Sequence, residues 1–319
     1  VAASPSASPP HSSLTAMSDL GTKAVSLSGG ARLAVGSDDG RLRIANAATG
    51  QVTCEVLRSR LLWSVAWCPS GTRVAVGGDD CRLCIVEASA GGLELEVDHV
   101  RAVRSVSWCP SGSRIATCSG HALRIFDAIT GRQHLEVSHR TFVWTVAWSP
   151  NAKRLATGSE DKRLRVFGAV DGDLQLEVQH AGVVHAVCWR PCSMLLATGS
   201  SDGVVRIIDV FGGEIVTQVD HAGGPVRAVA WSPSETLLAT GTGGHNMVPK
   251  ARVVDVASGI TQLEVTHAGF VRALAWDADG RQLATGSDDG VLRIVDVSEG
   301  RVEREEALGG FVRAVAWSF

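Results

Sequence analysis

Seven tryptophans, Trp67, Trp108, Trp148, Trp189, Trp231, Trp276 and Trp317, follow one another at intervals of 41, 40, 41, 42, 45 and 41 residues. Similar text surrounds each. Residues 143–167 read VWTVAWSPNAKRLATGSEDKRLRVF, and residues 271–295 read VRALAWDADGRQLATGSDDGVLRIV. LATGS or LATGT stands at 155–159, 196–200, 238–242 and 283–287. A period of this length means one supersecondary unit per repeat, each burying its apolar faces against its neighbours. Every unit holds four short strand-like runs: one ending at the tryptophan, the LATGS run, an alternating run such as Arg163–Phe167, and a closing LEV-type run. Pro-Ser-Gly, Asp-Asp-Gly, Thr-Gly and Gly-Gly turns separate them. No stretch sustains a 3.6-residue apolar period, so helices should be nearly absent. Four-stranded units at this spacing predict an all-β chain of antiparallel propeller blades.

Seven units begin near Lys23, Leu62, Val103, Val143, Val184, Val226 and Val271, and one further innermost strand follows at residues 312–318. The first unit is degenerate, with Leu27 near the tryptophan position. Residues 23–57 would form the first blade unaided, or the C-terminal strand would displace Lys23–Ser28 and complete it. Further blades beyond this stretch of chain are a third reading. Residues 1–22 are rich in Ser, Pro and Ala without an apolar signal core, and are expected to be a disordered tail ahead of a propeller over 23–319.

The unit length, the strand order, a His before the innermost strand and an Asp-Gly turn resemble the repeats of the WD40 family over residues 23–319. The resemblance implies a seven-bladed propeller without a cofactor that binds proteins or peptides on one face. The third strands depart from the family's Trp-Asp ending: they close with Phe126-Asp127, Ile208-Asp209, Val254-Asp255 and Val295-Asp296. The family's four-member hydrogen-bond network would then keep three members.

Residues that recur in every blade are expected to be architecture. His99, His139, His180, His221 and His267 each precede a tryptophan by 9 or 10 residues, one per blade. Zinc ligands must converge within about 2 Å of one ion, so no metal site is expected from them. They are expected instead to bond turn aspartates, Asp39, Asp80, Asp161, Asp202 and Asp289, and a Ser or Thr of the blade. Ser, His and Asp recur throughout without a unique nucleophile, which argues against a catalytic triad. Cys81 and Cys84 form a lone Cys-x-x-Cys with no second pair, again pointing away from metal. Arg43, Arg124, Arg165, Arg252 and Arg293 each have a Glu twelve residues later (Glu55, Glu136, Glu177, Glu264 and Glu305), as cross-strand ion pairs would.

The position four before each tryptophan varies instead: Trp63, Arg104, Trp144, His185, Arg227, Arg272 and Arg313, with Lys23 equivalent in the first unit. By resemblance these side chains ring the upper mouth of the central channel. Trp and Arg dominate interface hot spots, and Arg forks match carboxylates and phosphates. Asp38, Asp79, Glu160 and Asp288 on neighbouring turns temper the positive charge. The 243–250 stretch of the sixth unit replaces a short turn on the same face.

The expected function is a non-catalytic protein-interaction scaffold, acting as a monomer or as a subunit of a larger complex. A nucleic-acid- or phosphate-binding propeller using the Arg/Trp ring is the alternative. An enzyme is disfavoured because the ring positions hold no carboxylate. A net charge of −3 favours neither bulk nucleic acid nor anionic membranes. No apolar run approaches the roughly 20 residues of a membrane-spanning helix. Eight cysteines in 319 residues and the absence of any Asn-x-Ser/Thr fit an intracellular protein, cytoplasmic or nuclear.

Overall fold

The computed structural model describes residues 32–46, 49–58, 61–221, 224–244 and 247–318. They form seven four-stranded antiparallel sheets arranged in a ring, with no helix among the described residues. Each of the six sheets in 62–307 is one contiguous stretch of chain: 62–98, 103–138, 143–179, 184–220, 226–266 and 271–307, taken here as blades two to seven. Blade one joins the two ends. Its innermost strand is Val312–Trp317, paired with Arg32–Ser37, then Arg41–Asn46 and Val52–Leu57. The C-terminal strand therefore closes the ring. Lys23–Ser28, the competing strand, and the expected tail lie outside the described residues. Reciprocal bonds fasten the junction: Arg32 N donates to Ser318 Oγ at 2.7 Å, and Ser318 N to Arg32 O at 2.8 Å.

Burial follows strand position. The LATGS-type strands are buried on both faces, whereas the outer strands alternate exposed and half-buried residues. This matches sheets stacked face to face, with only the outer strands against water.

Small side chains on the second strand let the blades approach. A Cβ on Gly199 would stand 2.8 Å from Val226 Cγ1 of the next blade, and one on Gly286 would stand 2.6 Å from Val312 Cγ1. In blade three Cys118 takes this position, fully buried against Val143. The tryptophans form a second tie. Trp67, Trp108, Trp189, Trp276 and Trp317 donate their indole N–H to the carbonyls of Ala316, Ala66, Ala147, Ala230 and Ala275 in the preceding blade, at 2.9–3.0 Å. The Trp148 and Trp231 indole nitrogens are buried without a partner. They face the blades in which Ser107 and Cys188 replace that alanine.

Gly199→Ala is expected to cost about 1–3 kcal/mol by overpacking. Trp148→Ala is expected to cost about 3–5 kcal/mol through the cavity left behind. Thermal and denaturant unfolding of the two variants checks both, and an unchanged midpoint for Gly199→Ala would contradict the close approach.

Candidate functional site at the channel mouth

Strand register brings one variable side chain from every blade to the same place. Each innermost strand carries a β-bulge near its start. The ladder pairs Val143 and Thr145 but skips Trp144, pairs Val184 and Ala186 but skips His185, and pairs Val226 and Ala228 but skips Arg227. Trp63, Arg104, Arg272 and Arg313 are skipped in the same way. A bulged residue leaves the strand's alternation and can be re-aimed. Here all seven line one cavity of about 110 Å³ at the mouth of the central channel. Lys23 lies outside the described residues, and Arg313 holds the corresponding place in blade one.

Five of the seven neighbouring pairs touch directly around the ring, and Arg272 and Arg313 share Asp288. Trp63 is flanked by guanidinium groups, with Arg104 at 3.9 Å and Arg313 at 4.6 Å from its ring centre. Arg104 also lies 5.5 Å from the Trp144 ring, and Trp144 meets His185 edge-on at 5.8 Å. Arg227 donates to His185 Nε2 at 2.9 Å. Two of the acidic turn residues reach in. Trp63 Nε1 donates to Asp79 at 2.5 Å, and Arg272 forks onto Asp288 at 2.6–3.0 Å, with Arg313 3.8 Å from the same carboxylate. The mouth therefore holds acids that the ring positions alone did not contain. Burial, then the charges of Arg227 and Arg272, holds the His185 imidazole down at about 3, so it is neutral and free to accept. Burial also lowers the Arg104, Arg227 and Arg313 guanidinium groups from their usual value.

Sequence reasoning missed the aromatic residues two positions upstream. Arg272 and Arg313 lie 5.2 and 5.3 Å from the rings of Phe270 and Phe311. A Phe two residues before a ring position was the available signal. Of the 243–250 stretch, the described residues 243–244 and 247–250 lie on this face. Thr242 pairs with Val226 beside Arg227, Gly243 N donates to Pro225 O at 3.1 Å, and Val248 is exposed.

The blade histidines and turn aspartates are divided differently from expectation. His99, His139, His180 and His267 share hydrogen bonds of 2.9–3.1 Å with Thr117, Thr157, Thr198 and Thr285 of the following blade. The aspartates bond the third-strand arginines instead: Asp39 with Arg43, Asp161 with Arg165, Asp202 with Arg206 and Asp289 with Arg293, at 2.6–2.9 Å. A guanidinium binds a carboxylate more strongly than a neutral imidazole does, which explains the exchange. Burial alone would raise the Asp39 and Asp161 carboxyls, but the arginine, serine and backbone hydrogen bonds and the arginine charge together outweigh it and leave both lowered.

The cross-strand pairs are in register, Arg43, Arg124, Arg165, Arg252 and Arg293 opposite Glu55, Glu136, Glu177, Glu264 and Glu305. Arg165 thus bridges Asp161 and Glu177 at 2.6 and 2.7 Å. Blades three and six have no turn aspartate. In blade six Arg252 donates to His221 Nδ1 at 2.7 Å. Blade two has Cys84 where the arginine stands elsewhere, and Arg58 from the preceding connection fills the gap, 2.9 Å from Glu96 and 3.7 Å from Asp80. Cys84 is buried beneath it, and burial pushes its thiol up to about 12.

A closed ring of seven four-stranded blades around a channel with a polar, variable mouth defines a β-propeller. The WD40 family profile (WD domain, G-beta repeat) matches residues 55–87, 94–127, 132–168 and 260–296. The profile of the anaphase-promoting complex subunit 4 WD40 domain matches residues 174–232. No curated protein matches the chain. The chain belongs to the WD40-repeat family of β-propellers.

Burial, then the neighbouring arginine, lowers His139, His180, His221 and His267 to about 4. An unfolded histidine titrates near 6.5, so between about 6.5 and 4 the unfolded chain binds more protons and stability falls as pH falls. The melting temperature is expected to drop on going from pH 7 to pH 5, and His180→Gln should flatten that slope. A melting temperature that rises over this interval would contradict neutral buried histidines.

Proposed function

We propose that this chain is a non-catalytic interaction platform that binds a peptide or protein partner at the channel mouth. The carrying observation is the convergence of seven bulged side chains, one from each blade, on one cavity. WD40 propellers generally mediate protein interactions, and the architecture repeats while these seven positions vary. Trp63, Arg104, Trp144, His185, Arg227, Arg272 and Arg313 are the proposed contacts. The half-buried Trp and Arg faces supply large, directed contact area. Similarity of residues 174–232 to the WD40 domain of a complex subunit supports a role within a larger assembly. All eight cysteines are free, which supports an intracellular setting, cytoplasmic or nuclear. The five blade histidines and the turn aspartates belong, in this reading, to the scaffold.

Trp144→Ala should abolish partner capture from a cell extract while leaving the melting temperature within about 2 °C, since the indole sits at the mouth and not between blades. Trp148→Ala should do the reverse and lower stability first. Equal loss of stability in both variants, with no selective loss of capture, would return the ring to the core.

A further inference from the structure

The outer strands are the exposed edges of the seven sheets, and six of them carry a carboxylate at the same register position. Glu55, Glu96, Glu136, Glu177, Glu264 and Glu305 stand there in blades one to four, six and seven. Blade five has Gln218, opposite Arg206, whose ion pair is with Asp202. In blades one, two, four and six a second cation joins the glutamate, Arg41, Arg82, Arg163 or Lys250, and blade five has Val204 at that place. The residue skipped by the bulge of each outer strand is polar in six blades: Thr53, Glu94, His134, Gln175, Gln262 and Glu303. In blade five it is Val216, 58% exposed. Charged side chains on an edge strand oppose its pairing with another chain. Blade five departs at three neighbouring positions, and each time it loses charge or polarity.

This edge is also apolar at both ends. Phe211, 69% exposed, lies in the turn that enters the strand, and exposed Met194 lies beside it, its carbonyl accepting from Val210 N at 3.1 Å. The connection that leaves the strand passes Gly224, where a Cβ would stand 2.7 Å from Met247 Sδ, and Met247 and Val248 are both exposed. Contiguous exposed apolar surface of this kind marks an interaction site.

We infer that Ile215–Asp220 is a self-association edge, on which a second copy of this chain lays its own blade-five outer strand antiparallel about a two-fold axis at Gln218. The inference stands apart from the channel mouth. His221 N donates to Gly203 O at 2.9 Å, so alternation turns the backbone groups of Val219 and Thr217 into the blade and those of Gln218 outward. Among the described residues no further strand pairs with this edge. At the axis Gln218 meets its own copy, amide against amide. The same axis on any other blade would set Glu against Glu, and like charges directly opposite are destabilising. A two-fold contact uses one patch twice, so the Phe211 end of each copy runs toward the Met247 end of the other, and both apolar ends gain cover. A foreign strand has no such built-in match.

The test is sedimentation equilibrium of the intact chain over a rising series of concentrations. A single added strand is a small contact, so a dimer forming in the micromolar range is expected. Gln218→Glu restores the residue of every other blade and gives Arg206 a second carboxylate. It should weaken the dimer by about fivefold or more without lowering the melting temperature, and raised salt should recover part of the loss. Val216→Lys should weaken the dimer as well. Amide exchange supplies the second readout. The Gln218 amide should gain protection as concentration rises, whereas the Thr217 and Val219 amides, already bonded within the blade, should not respond. A chain that stays monomeric, a dimer indifferent to Gln218→Glu, or a dimer that leaves the Gln218 amide unprotected would each overturn the inference. Protection of Gln218 only after a different protein is added would assign the edge to a foreign strand and overturn the second copy.

Discussion

The contact between the second strand of one blade and the first residue of the next is the constraint on which the ring depends. Gly199 against Val226 and Gly286 against Val312 show its form: the valine sits where a Cβ would otherwise stand. Steric fit sets the distance between blades, and the indole bond from Trp189 to Ala147 or from Trp276 to Ala230 fixes their relative height. With distance and height set, the bulges of neighbouring blades fall at one level. The channel mouth is therefore a product of interblade packing. No single blade could make it.

This explains how much the sequence made legible. The tryptophan interval and the LATGS text describe contacts that every blade must make, so the blade count and strand order followed from repetition. The twelve-residue offset from Arg124 to Glu136 was a register measurement made on text alone, and the strands pair as it required. What repetition could not reveal was competition between partners. His180 and Asp202 both recur, and recurrence said nothing of Arg206 taking the aspartate while Thr198 took the imidazole. Charge strength decided that. Ring closure was undecidable for a related reason: two strands of text could fill one slot, and the choice depended on pairing with Arg32–Ser37 across the whole chain.

The candidate site was legible as a list of positions but not as a surface. Variation at Trp63, Arg104, Trp144, His185, Arg227, Arg272 and Arg313 marked them out. The bulge that turns each toward the mouth has no local signature in the text. Nor did the text show that Asp288 would be shared by Arg272 and Arg313 while Arg227 had only a neutral imidazole. Arg58 makes the same point from the scaffold side: a charge missing at Cys84 is replaced from a segment 26 residues earlier.

The mixed blade at the junction has a consequence in time as well as space. Until Val312–Trp317 docks, Arg32–Ser37 presents a bare edge of unpaired N–H and C=O groups, the kind of edge on which strands from other molecules add. Docking must bring together groups 286 residues apart, such as Arg32 and Ser318, and contacts so distant in sequence form late. The closing strand thus acts as a latch on the ring. An intermediate caught before it would be the one most prone to swap strands with a second copy.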